Sequence, residues 1–185
     1  MVLTGGASAV EPEISSDVTD RVSQLDNMND GWSVMPELNT PRFSHGCAVI
    51  KDGDKQRIIV AGGKGSDLAE LNSVEVYEVG GLLFPPWIEG ELGNERISTK
   101  PCMIVISLKG TPLPVALYKP SSVRVDNSFV LVGGYSDANG GPLDTVFAYV
   151  VEDRRWQELE RLKRPRAAAT AMMINKGLNN IFPDC

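Results

Sequence analysis

Histidine is almost absent from this sequence, since His45 is the only one among 185 residues. Zinc and copper sites usually need several histidine or cysteine ligands, so we predict no metal and no cofactor. A Ser-His-Asp catalytic set would have to be built around the same single histidine. We therefore predict that the chain is not an enzyme, and we interpret His45 as a hydrogen-bonded structural residue.

Cysteine is also scarce, and the three present are Cys47, Cys102 and Cys185. Three cysteines do not make a disulfide framework of the kind that supports small secreted domains. Cys47 and Cys102 stand in apolar surroundings, so we predict that each is a small buried hydrophobic residue. This usage favours a cytoplasmic location, while a secreted relative stays open if an N-terminal segment is missing.

Long apolar runs are missing as well. No stretch approaches the roughly 18 residues that span a membrane, and "MVLTGGASAV" at residues 1–10 lacks the basic and apolar regions of a signal peptide. The net charge of −6 argues against a nucleic acid or an anionic membrane as partner. One basic cluster, "RRWQELERLKRPR" at 154–166, is either a solvated strand edge or a site for an acidic peptide or phosphate.

What the sequence does contain is a glycine pair that stands in the same setting at three places. Each pair follows a short apolar run, precedes a stretch of alternating apolar and polar residues, and is followed by a tryptophan. The pairs are Gly5-Gly6, Gly62-Gly63 and Gly133-Gly134, and the tryptophans are Trp32, Trp87 and Trp156. Alternation with a period of two predicts β-strands. Glycine at a strand end permits a sharp turn or a close approach of two backbones.

The repeat continues beyond the tryptophan. The segments "WSVMPELNTPRFSHGCAVI" and "WQELERLKRPRAAATAMMI" align without a gap, which matches Pro41-Arg42 with Pro165-Arg166. In the middle copy, Arg96 stands eight residues before Ile104, as Arg42 does before Ile50. Self-similarity at this period predicts an array of equivalent units. The copies run roughly over 1–41, 42–95 and 96–165, and 166–174 is predicted to be the first strand of a further unit.

These elements together resemble the kelch repeat, one blade of a β-propeller. The resemblance rests on the glycine pair after an apolar strand, on "NSVEVYEV" at 72–79, and on the "PR..H" pattern of Pro41, Arg42 and His45. It implies an all-β fold, a partial kelch-type β-propeller of four-stranded antiparallel blades. The chain supplies about three blades, whereas propellers typically have 4–8. We therefore expect either a longer gene product or self-association of two chains through open blade faces.

The resemblance also implies a function, because kelch propellers typically bind peptides or protein surfaces through loops on one face. By position, the binding candidates are the residues just past the glycine pairs. They are Lys64, Ser66, Tyr135, Ser136 and Asp137. The predicted role is a protein–protein interaction module, which includes the substrate-recognition part of a ubiquitin-ligase adaptor. Two alternatives stay open: a fragment of an oxidase-like propeller enzyme whose catalytic residues lie outside this chain, and an actin-binding or cytoskeletal protein.

Overall fold

The computed structural model describes residues 2–7, 18–25, 31–52, 55–79, 97–100 and 103–173. These residues form antiparallel β-sheets and contain no helix, which confirms the all-β prediction. Within this part of the chain there is accordingly no helix with the length and hydropathy needed to cross a membrane.

Three sheets follow one another along the chain. The N-terminal sheet has the order β1-β2-β3, the middle sheet β4-β5-β6-β8-β7, and the C-terminal sheet β14-β13-β10-β9. The N-terminal strands are β1 (Val2–Ala7), β2 (Val18–Leu25) and β3 (Trp32–Met35). The middle strands are β4 (Gly46–Asp52), β5 (Lys55–Ala61), β6 (Val74–Val79), β7 (Ile97–Lys100) and β8 (Met103–Lys109). The C-terminal strands are β9 (Ser121–Val125), β10 (Ser128–Val132), β13 (Val146–Val150) and β14 (Arg155–Glu158), and the two-residue strands β11 (Tyr135–Ser136) and β12 (Gly141–Pro142) pair separately.

The central strands β5 and β6 of the middle sheet are buried on both faces, as β6 illustrates. Val74 and Val76 belong to the apolar cluster that joins the middle sheet to the C-terminal sheet. Tyr77, on the opposite face of the same strand, belongs to the cluster shared with Val22 of the N-terminal sheet. The period of two predicted for this segment is therefore present, and it places apolar side chains between successive sheets. The core thus consists of face-to-face contacts between neighbouring sheets.

The glycine pairs mark the places where the backbones of successive repeat units meet. Both residues of each pair have positive φ; for the second pair the values are +68° at Gly62 and +95° at Gly63. The second glycine of each pair donates its N–H to a carbonyl about 30–55 residues further along. These bonds join Gly6 to Arg42 (2.9 Å), Gly63 to Leu117 (2.8 Å) and Gly134 to Arg166 (2.9 Å). A Cβ at Gly62 would lie 2.7 Å from the Leu117 oxygen, so only glycine fits without a shift.

These bonds also correct the alignment of the middle copy. Leu117, and not Arg96, occupies the place that Arg42 and Arg166 hold in the other units. The predicted copies placed residues 96–109 at the start of the third unit, but β8 pairs with β6 and extends the middle sheet to Lys109. In sequence, the apolar run of β8 resembles that of β4. A short apolar run does not show which strand it will pair with, so the sequence placed β8 in the wrong unit.

Two other sequence predictions fall on or near the edges of the described structure. Trp87, which we expect to fill space between blades, lies outside the described residues, as does Cys102. The predicted strand at 166–174 is described as far as residue 173, and there it is not part of a sheet. Cys47 was predicted to be buried, and this is wrong: its side chain is exposed on the edge strand β4.

Candidate functional site

The candidate site is a cluster of four side chains at one edge of the molecule, which we call the loop cluster: Lys64, Tyr118, Tyr135 and Asp137. Lys64 follows the glycine pair at the end of β5, and Tyr135 and Asp137 follow the pair at the end of β10. Tyr118 comes from the segment that leads into β9. Residues predicted from two different repeat copies thus meet at one place in the fold.

The backbone holds this cluster at equivalent positions in two units. Phe43 and Lys64 exchange two backbone hydrogen bonds, of 3.0 and 2.9 Å. Tyr118 and Tyr135 do the same one unit later, with bonds of 3.0 and 2.8 Å. In each exchange the second residue, Lys64 or Tyr135, directly follows the second glycine of a pair. The side chains that project from here are therefore presented by a fixed backbone and not by a free loop.

The side chains of the loop cluster contact one another through charge and aromatic interactions. Lys64 Nζ lies 3.1 Å from Asp137 Oδ2 and 4.1 Å from the centre of the Tyr118 ring. The Tyr118 hydroxyl donates a 3.3 Å hydrogen bond to Asp137 Oδ1. The rings of Tyr118 and Tyr135 are tilted by 48° with their centres 5.3 Å apart. This is a cation–π contact beside an aromatic pair, and tyrosine is among the residues enriched in protein interfaces.

The charges of the cluster keep Lys64 protonated and Tyr118 neutral. Partial burial lowers the pKa of Lys64, but the hydrogen bond and charge of Asp137 together with Tyr118 raise it above its ordinary value overall. Burial raises the pKa of Tyr118 and Asp137 acts in the same direction, against the opposing charge of Lys64. A ligand would therefore meet the protonated amine of Lys64 beside the neutral phenol of Tyr118.

Glu70 links the loop that carries Lys64 to the segment that carries Ser136 and Asp137. Its carboxylate accepts a hydrogen bond from the backbone N–H of Asp137 at 2.5 Å and one from the Ser136 hydroxyl at 3.3 Å. Ser136 is fully buried and also accepts a bond from Asn139. Among the predicted binding residues, Ser136 therefore has a positioning role. Ser66 is exposed on the turn of the loop that carries Lys64, and its side chain makes none of the contacts described above.

Sequence reasoning missed Tyr118 and Glu70. The signal for Tyr118 was present, because it stands one residue after Leu117, as Phe43 stands one residue after Arg42. The misplaced middle copy hid this correspondence. Glu70 had no such signal, since its contacts with Asp137 and Ser136 span 66 or more residues and depend on how two units stack.

The basic cluster at 154–166 is partly neutralised by acids close to it. Arg155 lies 2.9 Å from Asp153, and Arg161 lies 3.2 Å from Asp144 and 2.8 Å from Glu158. All of these side chains are exposed, so each pair contributes little to stability. In the described part of the chain, no group of three or more histidine, cysteine, aspartate or glutamate residues is placed to hold a metal ion.

His45 lies between two glycine pairs and not in the loop cluster. Its Nε2 is 2.8 Å from the Thr4 hydroxyl, as expected for a hydrogen-bonded structural histidine, while its buried Nδ1 has no partner in the described structure. Burial, together with the charge of Arg42, lowers the pKa of His45 to about 4, and the contact with Thr4 opposes this only in part.

This pKa predicts a pH dependence of stability. The folded pKa is below the ordinary value of 6.5, so the folded state binds the proton less readily than the unfolded chain. The contribution of neutral His45 is therefore complete above pH 6.5 and is lost as the pH falls towards 4. We expect the wild type to lose about 3 kcal/mol relative to His45→Gln between pH 7 and pH 4, measured by urea unfolding. If the free energies of unfolding of the wild type and His45→Gln change in parallel with pH, the lowered pKa assigned to His45 is wrong.

Comparison with known proteins gives a likeness of fold. No family model and no curated protein matches the chain. Among 134 matching chains of solved structures is one described as "Structure of YjhT", with a TM-score of 0.53 and 14% sequence identity. The match covers 83% of this chain and 42% of that one, so this chain spans less than half the length of the solved protein.

Proposed function

We propose that this chain is part of a kelch-like β-propeller whose three sheets are blades, and that it binds a protein or peptide through the loop cluster. The repeated glycine bonds and the face-to-face stacking of successive sheets support the propeller arrangement. The likeness to a solved structure at a TM-score of 0.53 supports the fold alone.

The observation that carries the binding proposal is the contact of Lys64 with Asp137 and Tyr118. These residues come from separate repeat units, yet Lys64 Nζ lies 3.1 Å from Asp137 Oδ2 and 4.1 Å from the centre of the Tyr118 ring. Packing of the core does not require this contact, because the side chain of Asp137 is 55% exposed. A preformed polar and aromatic group on a rigid edge lowers the entropy cost of binding.

The chemistry of the cluster favours a peptide with both an aromatic or apolar anchor and an acidic group. Tyr118 and Tyr135 offer ring surface at little conformational cost, and the Tyr118 hydroxyl, which donates to Asp137, can still accept a hydrogen bond. Lys119 adds a second cation, with Nζ 5.7 Å from the centre of the Tyr118 ring. An acidic group of the ligand would compete with Asp137 for Lys64.

The test is selection of peptides from a displayed random library against the purified chain, followed by affinity measurements on variants. We expect Lys64→Glu and Tyr135→Ala each to weaken binding of the selected peptides at least tenfold. The free energy of unfolding should change by less than about 1 kcal/mol, since ion pairs open to solvent on one side, as here at Asp137, and positions near the surface contribute little. Lys51→Glu, an equally large charge reversal at the exposed end of β4, is the matched control and should bind normally.

Two results would overturn the proposal. In the first, the selected peptides bind the Lys64 and Tyr135 variants as tightly as the wild type. In the second, no peptide is enriched while the chain co-sediments with filamentous actin, which would favour the cytoskeletal alternative. If selected peptides match a degradation signal, the role as substrate-recognition part of a ubiquitin-ligase adaptor becomes the next hypothesis to test.

A further inference from the structure

A leucine on the loop that carries Lys64 stands in a backbone conformation that disfavours it. Leu68 has φ +62°, in the left-handed region, where a bulky L-residue is uncommon and costs conformational free energy. The other described non-glycine residues with positive φ are polar, charged or alanine. The Leu68 side chain is 42% exposed, and it belongs to none of the three apolar clusters that the described residues form. Burial in an apolar core therefore does not explain a leucine at this position.

The corresponding loop of the next unit shows which residue this backbone accommodates best. In both loops an N–H donates to the carbonyl three residues earlier. Leu68 donates to Gly65 at 3.0 Å, and one unit later Gly140 donates to Asp137 at 3.1 Å. Gly140 has φ +73°, which glycine adopts without a steric penalty. The repeat accommodates glycine at this point, so the turn itself does not require a leucine.

The turn also places Leu68 beside the loop cluster. A hydrogen-bonded turn that begins at Gly65 brings its first and fourth Cα atoms within about 7 Å, so the Cα atoms of Lys64 and Leu68 are at most about 11 Å apart. Glu70 follows two residues after Leu68, and its carboxylate accepts the 2.5 Å hydrogen bond from the backbone N–H of Asp137. The loop is therefore anchored on both sides of Leu68, and a ligand bound at Lys64 lies within reach of the leucine.

We propose that Leu68 is the apolar contact of this binding surface and receives an apolar side chain of the same peptide whose acidic group Lys64 binds. An exposed, strained residue that the fold does not require is the kind of outlier that indicates a functional role. The inference rests on the proposed binding role of the loop cluster and defines the ligand class more narrowly. An extended peptide advances about 3.3 Å per residue, so its acidic and apolar residues should stand within about four positions of each other.

The first test asks whether position 68 is strained, and it needs no ligand. Leu68→Gly and Leu68→Ala both remove the side chain, but only glycine also removes the conformational penalty. We expect Leu68→Gly to unfold at a higher urea concentration than Leu68→Ala, although glycine is the less stable of the two at ordinary positions. An equal or lower midpoint for Leu68→Gly would mean that the position is unstrained, and the inference would be wrong.

The second test compares binding with stability. The probes are the peptides enriched from a displayed random library against the purified chain. We expect Leu68→Gly and Leu68→Ala each to weaken binding at least about tenfold and by similar factors, although their stabilities differ. Leu68→Met keeps a long apolar side chain and should bind nearly as tightly as the wild type. The control is Leu159→Ala, which changes a leucine that is 38% exposed after β14 and has no positive φ, and it should bind normally.

A thermodynamic cycle with the peptide identifies the contact itself. The apolar residue of an enriched peptide is replaced by alanine, and the affinities of both peptides are measured for the wild type and for Leu68→Ala. We expect the replacement to weaken binding to the wild type at least about tenfold but to have little effect on Leu68→Ala, because the contact is already lost there. Replacement of the acidic residue of the peptide by its amide should weaken binding to both proteins alike, since Lys64 is intact in both.

The outcomes distinguish this inference from the proposed function. If Lys64→Glu weakens binding while Leu68→Gly and Leu68→Ala bind like the wild type, or if the effects in the cycle are additive, Leu68 is not the apolar contact and the loop cluster keeps its proposed role. If Lys64→Glu and Leu68→Ala both leave binding unchanged, the proposed function and this inference are both wrong. A library that enriches no peptide would also contradict this inference, which requires a peptide ligand.

Discussion

Arg42→Met is expected to destabilise the protein by about 3–5 kcal/mol, the largest effect we expect from any single substitution here. Arg42 is fully buried between the N-terminal and middle sheets. Its Nη2 lies 2.7 Å from Glu75 Oε1, and its Nη1 donates to the carbonyls of Gly62 (2.9 Å) and Ser73 (3.1 Å). Removal of the guanidinium takes one donor from each of the two carbonyls and leaves the buried carboxylate without its cation.

The surroundings of Glu75 make the loss more severe. Its two oxygens also accept bonds from the backbone N–H groups of Asn39 (2.6 Å) and Thr40 (3.1 Å) and from the Tyr77 hydroxyl (3.2 Å). These donors fix the carboxylate where Arg42 meets it, so it cannot turn towards water. Burial lowers the pKa of Arg42, and the charge and hydrogen bond of Glu75 oppose that shift, which indicates that the carboxylate is what makes a buried cation tolerable.

Urea unfolding of Arg42→Met, Arg42→Lys and Arg166→Met measures this effect. Lysine keeps the charge but has no planar fork to reach Gly62, Ser73 and Glu75 together, so it should recover only part of the stability. Arg166 occupies the equivalent repeat position and is exposed, so Arg166→Met should change the free energy of unfolding by less than about 0.5 kcal/mol. Equal losses for Arg42→Met and Arg166→Met would show that burial and Glu75 do not set the cost.

Gly62→Ala is expected to cost about 4 kcal/mol, from two separate sources. The backbone at Gly62 has φ +68°, which costs an L-residue about 1–2 kcal/mol. The new methyl group would also lie 2.7 Å from the Leu117 carbonyl oxygen and 3.3 Å from Leu113 Cδ1. That overlap forces the neighbouring unit to shift and weakens the 2.8 Å bond from Gly63 to Leu117.

Gly140→Ala separates the two sources. Gly140 has φ +73°, close to that of Gly62, but a Cβ there would meet nothing within 4 Å. We expect it to cost only about 1–2 kcal/mol, the conformational part alone. If the two alanine variants have the same denaturation midpoint, the close approach of the two units is not what requires glycine at position 62.

Much of the loop cluster could be predicted from the repeat, and the part that could not has a clear cause. Lys64, Tyr135 and Asp137 were found because equivalent positions past each glycine pair lie on the same edge of successive units. Tyr118 was missed because residues 96–109 were read as the start of the next unit, although β8 pairs with β6 and extends the middle sheet. Strand pairing is decided by which backbone edge is open and by tertiary contacts, and a short apolar run carries neither kind of information.

The sequence by itself determined the all-β class and the glycine positions at the strand ends, because alternation and obligatory glycine depend on local backbone geometry. The tertiary structure decided which residues the repeat units bring together. Arg42 and Arg166 each follow a proline at equivalent repeat positions in sequence, yet one is buried against Glu75 and the other is exposed. Burial and ion pairing depend on what stacks against a residue, and that is a property of neighbouring units far away in the chain.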